Sequence, residues 1–105
     1  MRPTSNLLDD RPGDLTQEVF TELIRHGTLR IERIVSNGHV SPDGSWYDQD
    51  EHEWVLLLAG EAEIEFAEGE RVRLTQGDAL NLPAQTRHRV TFTSCPAIWV
   101  AVFYR

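Results

Sequence analysis

Cysteine is almost missing from this 105-residue chain, and the single Cys95 has no second thiol with which to form an internal disulfide. Long apolar runs are missing too: nothing approaches the roughly 18 consecutive apolar residues that a spanning helix requires. The opening stretch MRPTSNLLDDRPGD contains no apolar segment able to act as a secretion signal. These absences set the expectation of a cytoplasmic protein that neither crosses nor anchors to a bilayer. Positive charge is scarce, with 10 basic residues against 17 acidic ones and a formal charge of -7. Such a surface repels phosphate backbones and anionic headgroups, so neither nucleic acid nor membrane is an expected partner. What is present is ordinary for a globular chain, 40% hydrophobic and 26% charged, and the length suits one domain.

Residues 1–14 are polar and interrupted by Pro3, Pro12 and Gly13, which predicts a flexible arm that orders only against another surface. A single domain is expected over residues 15–105. Between Gln17 and Arg25 the pattern suits either element: Val19, Thr21 and Leu23 alternate like a strand, whereas Phe20, Leu23 and Ile24 suit a short helix. Strand is the preferred reading. From Leu29 onward short β-rich runs (LRIERIV, EWVLLLA, AEIEF, RVRL, ALNL, HRVTFT, AIWVAVFY) alternate with turn residues at about ten-residue intervals, the mark of a sandwich or barrel.

A register follows for the AEIEF and RVRL hairpin if Gly69 occupies the loop apex: Phe66 opposite Val72, Ile64 opposite Leu74, and Glu65 opposite Arg73 on the wet face. In residues 54–58 and 97–103 apolar side chains occupy both parities, which half-buried strands avoid. Their outer faces need a cover. The arm could supply part of it, and a homodimer is the expected main source.

Between Val40 and His88 lie two spaced sets of residues. Glu53 stands seven residues before Gly60, with Gln49, Tyr47 and Ser41 at fixed distances upstream, and Gly77, Pro83, Gln85 and His88 form a second set. This arrangement resembles the two motifs of the cupin superfamily. In the first, Gln49 and Tyr47 stand where two histidines usually lie and Ser41 where a glycine opens the motif. In the second, Gln85 replaces an inner glycine and Phe92 takes a final position that is often Asn. The resemblance, extended by its flanking strands from Leu29 to Tyr104, implies an all-β fold, a double-stranded β-helix or jelly-roll barrel. It also implies one internal site with Glu53 and His88 pointing inward beside Gln49 and Tyr47. Strand parity agrees, since Val55 and Leu57 share a face with Glu53, and Val90 and Phe92 share one with His88.

Metal-binding cupins usually employ three histidines and a glutamate. Here the implied ligands of a weakly held divalent metal ion are Gln49, Glu53 and His88, with Tyr47 as a weaker fourth. An amide oxygen and a phenol are poor donors for such ions, and one histidine cannot build the shell of an iron oxygenase. Two functions are open. One is a binding module for a small polar metabolite, with Trp46, Tyr47 and Gln49 at the ligand. The other is an enzyme of isomerase or epimerase type, with Glu53 or His88 as general base and Tyr47 as acid.

Elsewhere the readings are plainer. His52 should face outward, and the acidic cluster Asp48, Asp50, Glu51, Glu53 reads as a solvated loop before a calcium or magnesium site. Arg87 and Arg89 belong on the face opposite His88, His26 and His39 are expected at the surface, Cys95 in a turn, and Trp54 and Trp99 in core or interface packing.

Overall fold

The structure is a computed structural model that describes residues 2–9 and 13–105. Apolar alternation folds the chain into eight strands, with no helix among the described residues. They are β1 (Val19–His26), β2 (Leu29–Ser36), β3 (His52–Ala59), β4 (Glu61–Phe66), β5 (Arg71–Thr75), β6 (Ala79–Leu82), β7 (His88–Thr93) and β8 (Ala97–Tyr104). The larger sheet runs β1-β2-β8-β3-β6 and the smaller β5-β4-β7, every pair antiparallel. Val55 and Leu57 of β3, Ile64 of β4, Leu74 of β5, and Trp99 and Phe103 of β8 meet between the sheets as a continuous core. This is the expected all-β jelly roll, and the Gln17–Arg25 segment resolves as strand.

Part of the predicted arm, residues 10–12 with Met1, lies outside the described residues. Of the remainder, Asp14 accepts hydrogen bonds from the Thr16 amide and hydroxyl, and the Leu7 carbonyl accepts one from Arg33 at 3.5 Å. Arg33 and Val35 have the outward parity of β2 and are nonetheless buried. The arm therefore touches the outer face of the larger sheet at Arg33.

The β4–β5 register differs from the sequence expectation by two residues. Ile64 faces Val72, Ala62 faces Leu74 and Glu63 faces Arg73, while Glu65 faces Arg71. The loop is shorter than assumed: the Phe66 amide donates to Glu70 O and the Gly69 amide to Phe66 O, so only residues 67–69 turn the chain. Gly69 has φ 110° and closes a three-residue turn instead of sitting at a five-residue apex. A shift of two preserves parity, so the core face and the wet face are those expected.

Phe92 is a second correction. Ile64 pairs with Val90 and Glu63 with Phe92, which leaves Thr91 as the extra residue of a β-bulge. Beyond the bulge the faces exchange: Thr93 is buried, and Phe92 is 38% exposed beneath the Arg73 guanidinium.

Gly60 ends the β3 run at φ 91°, where an added Cβ would lie 2.4 Å from Ser94 Oγ and 2.5 Å from Pro96 O. Gly77 has the same φ with open space around it. Gly60→Ala should therefore cost roughly 3 kcal/mol, strain and clash together, against about 1 kcal/mol for Gly77→Ala. Urea denaturation of both variants checks this; equal losses would show that the contact at Gly60 is not limiting.

Candidate binding site in the barrel

A strand in a barrel wall projects every second residue inward, so polar residues on the inward parity must be satisfied inside. β3 directs Glu53, Val55 and Leu57 inward, and β7 directs His88 and Val90. Residues 38–49 then run along the free edge of β7. Gly38 N donates to Ser94 O, Ser41 N to Val90 O, and Tyr47 and His88 exchange both backbone hydrogen bonds at 2.8 and 3.2 Å. That pairing lays the Tyr47 ring on the His88 ring, with centroids 5.3 Å apart and planes 28° apart. The result is a cavity of about 100 Å³ in which Glu53, His88, Tyr47 and Gln49 meet.

Each of the four has a defined state. The His88 Nδ1 atom lies 2.8 Å from Thr86 O, so Nδ1 carries a proton and donates it, and Nε2 has no partner among the described residues. Gln49 donates from Nε2 to Glu53 Oε1 at 3.0 Å. Burial pushes the Glu53 carboxyl above the ordinary range, opposed by the Gln49 hydrogen bond and the His88 charge. Burial also raises the Tyr47 phenol, reinforced by Glu18 and Glu53, so this hydroxyl stays protonated and can donate. Glu53 and His88 share the cavity without a hydrogen bond or ion pair between them.

Gln85, at the inner-glycine position of the second motif, has φ 64°, the left-handed conformation that a glycine adopts more readily. Its amide donates to Gln49 O at 2.7 Å. The departure in residue type thus leaves the backbone turn intact, and that turn anchors the segment carrying Tyr47 and Gln49.

Trp46 does not reach the cavity. Tyr47 turns toward His88, so its neighbour turns outward, where Arg89 and Arg87 lie 4.9 and 5.7 Å from the Trp46 ring. Trp99, assigned only to packing by sequence, lines the cavity and donates from Nε1 to Ser36 Oγ at 3.3 Å. Sequence reasoning also missed Glu18 and Phe20. Phe20 pairs with Ile34 and shares its inward parity, and Glu18 precedes it by two residues. The inward parity of Ile34 on β2 was the signal available.

Of the remaining candidates, His52 faces outward as expected: its Nδ1 accepts from Ala84 N at 2.9 Å, and its ring packs on Tyr104. His39 is half-buried, not at the surface, because Nδ1 accepts from Asn37 N and Nε2 donates to Thr16 O. Glu51 leaves the acidic loop to chelate Arg30 at 2.6 and 2.7 Å.

The fold family suggests a metal, and the donor set tests the suggestion. Among the described residues no three His, Cys, Asp or Glu side chains gather to hold an ion. Gln49 turns its N–H toward Glu53, burial raises the Glu53 carboxyl, and the phenol resists ionisation. One imidazole and one carboxyl then remain, too few good donors for a tightly held divalent metal.

The cupin domain family matches residues 33–103. Over 98% of both chains the structure superposes, with a TM-score of 0.92 and 40% identity, on a Ralstonia eutropha JMP134 protein provisionally named a mannose-6-phosphate isomerase. A cupin superfamily protein from Desulfitobacterium hafniense DCB-2 matches at 19% identity and TM-score 0.80, covering 98% of this chain and 90% of that one. A Streptococcus pyogenes protein of unknown function matches at 18% identity and TM-score 0.79, covering 100% and 90%. The last two show the fold alone. No curated protein matches the chain.

The raised Glu53 carboxyl has a consequence for stability. Above its ordinary value and up to its raised one, the native state holds more protons than the unfolded chain, so stability falls as pH rises through that window. Glu53→Gln keeps an acceptor for Gln49 and removes the ionisation. Its melting temperature relative to the parent should climb by roughly a few degrees between pH 4 and pH 7. A difference that is flat with pH would show that Glu53 is not desolvated.

Proposed function

The chain belongs to the cupin family, and from that premise we propose that it binds a small organic ligand in the barrel through Glu53, His88, Tyr47 and Gln49. One observation carries this reading. Glu53 and His88 are 8% and 5% exposed, yet they do not satisfy each other and both face a cavity. Buried polar groups left in this state bind water or a ligand. The rest of the lining, including Val55, Val90 and Trp99, is apolar and suits an organic skeleton.

A second reading, proton transfer of the isomerase type, is favoured by the proton states. A carboxyl titrating nearer neutrality, an imidazole with a free Nε2 and a protonated phenol form a base and acid set around one cavity. The name of the Ralstonia protein points the same way. Its substrate class does not transfer, because among the described residues no Arg or Lys lines this cavity to receive a phosphate.

His88→Ala is the direct test. Stability should fall by roughly 1–3 kcal/mol, and compounds from a small-metabolite panel that perturb the Trp99 indole resonance of the parent should no longer do so. An unchanged melting temperature together with unchanged perturbation would remove His88 from the site.

We also propose a homodimer, supported by the outer face of the larger sheet. Trp54 pairs with Val102 and Leu56 with Val100, and these side chains are half-buried on the face away from the core. Light scattering at micromolar concentration should give twice the 12.0 kDa chain mass. A Trp54→Glu variant should run at the single-chain mass, and a parent already at that mass refutes the dimer.

A further inference from the structure

We infer that the cavity is built for a small alkylammonium cation, which binds through its N–H groups to Glu18, Glu53 and His88. This inference rests on the reading of the cavity as a binding site and names the ligand class.

Charge is the first argument. Glu18 and Glu53 line the cavity, and among the described residues no basic residue other than His88 does. Neither carboxylate has an ion-pair partner among the described residues, whereas Glu22, Glu32, Glu51, Glu61, Glu63 and Glu65 all do. The guanidinium whose charge reaches Glu53 belongs to Arg30. It is already held by both Glu51 oxygens and by Glu32, and lies 4.0 Å above the Phe103 ring. Arg87 and Arg89 are committed to Trp46 and Glu65 on the outside. The cavity thus holds two carboxyls with no ion-pair partner among the described residues, and the chain's formal charge of -7 adds a field that draws cations toward it.

Hydrogen-bond valence is the second. The Nδ1 proton of His88 is spent on Thr86, which leaves Nε2 as the ring atom open to a ligand, an acceptor in the neutral ring. Glu18 takes the Ser36 hydroxyl on one oxygen and Glu53 takes the Gln49 amide on one oxygen, leaving each carboxylate with further acceptor capacity. Against these acceptors the cavity offers one donor not already engaged by them, the Tyr47 hydroxyl. A matching ligand brings several donors and positive charge, which describes an ammonium group and not a carboxylate, a phosphate or a sugar ring.

Wall chemistry is the third. Phe20, Tyr47, Trp99 and Phe103 surround the polar groups, and aromatic faces attract cations while packing against an alkyl stem. Phe20 is 55% exposed on the edge strand β1.

The experiment titrates the full chain by NMR, reading the Trp99 indole N–H, with n-butylammonium, the neutral butan-1-ol, the anion butanoate and mannose 6-phosphate. Butylammonium should bind at least ten-fold tighter than butan-1-ol, and the two anions should leave the indole unmoved. Glu18→Gln, which keeps an acceptor for Ser36, should weaken butylammonium at least five-fold with little change in melting temperature. Equal affinity for butylammonium and butan-1-ol, or tighter binding of either anion, overturns the cation assignment and leaves the cavity a binding site. Silence of the indole toward all four probes overturns both.

Discussion

Backbone pairing between residues 38–49 and the free edge of β7 is the constraint on which the molecule depends. A three-stranded sheet ordered β5-β4-β7 would otherwise present β7 as an open edge, with unsatisfied amides and a route to aggregation. The chain covers that edge with its own loop: Gly38 at Ser94, Ser41 at Val90, Tyr47 at His88, and Gln49 at Gln85. Side-chain bonds reinforce it, Ser41 Oγ accepting from Val90 N and Thr93 Oγ1 donating to His39 O. The same bonds that close the barrel fix Tyr47 over His88 and bring Gln49 to Glu53, so closing the fold and assembling the site are one event.

Charge is divided between the two surfaces of the barrel. All 10 basic residues are arginines, and on the outside of the smaller sheet Arg71, Arg73 and Arg89 are laced to Glu61, Glu63 and Glu65. Arg89 holds the Glu65 carboxyl below the ordinary range, in a half-buried pair on the solvent side of the sheet. Inside, Glu53 has the opposite shift because burial dominates. Two glutamates of one small barrel thus titrate in opposite directions, one responding to a cation and one to the loss of water. A carboxyl kept inside at a cost to stability is better explained by what it binds than by packing, since an apolar side chain would fill the same space without that cost.

The fold was legible because its signals are local. Turn residues at short intervals, strand parity, and the spacings from Glu53 to Gly60 and from Gly77 to His88 all survive translation into coordinates. Gly60 is where spacing has the firmest physical ground, since Ser94 and Pro96 leave no room for a Cβ. The errors arise where one residue more or less changes the outcome. The hairpin register depended on whether Gly69 sits at the apex or at the closing position of the loop, and composition does not distinguish these. Phe92 was misplaced because a bulge at Thr91 inverts every later residue, and a bulge leaves no mark in the alternation that precedes it. Trp46 and Tyr47 are adjacent, so one must turn outward; only the Tyr47–His88 pairing decides which. Glu18 and Phe20 were overlooked because they lie before the family motifs, on a strand whose pattern also suited a helix.

Likeness at 40% identity over nearly the whole of both chains carries a family and a fold, whereas a substrate must be argued from the groups that would touch it. An isomerase of a phosphorylated sugar has to hold a dianion, and the usual means is a guanidinium, an ammonium or a helix N-terminus facing the phosphate. Among the described residues there is no helix, and Arg30, whose charge reaches Glu53, is already paired with two glutamates. Arg30 donates from Nη1 to both Glu51 oxygens in a half-buried contact that ties the segment before β3 to β2 across β8. Among the described residues the cavity thus presents carboxyls and no free guanidinium, and the Arg30 side chain is held in a structural bond.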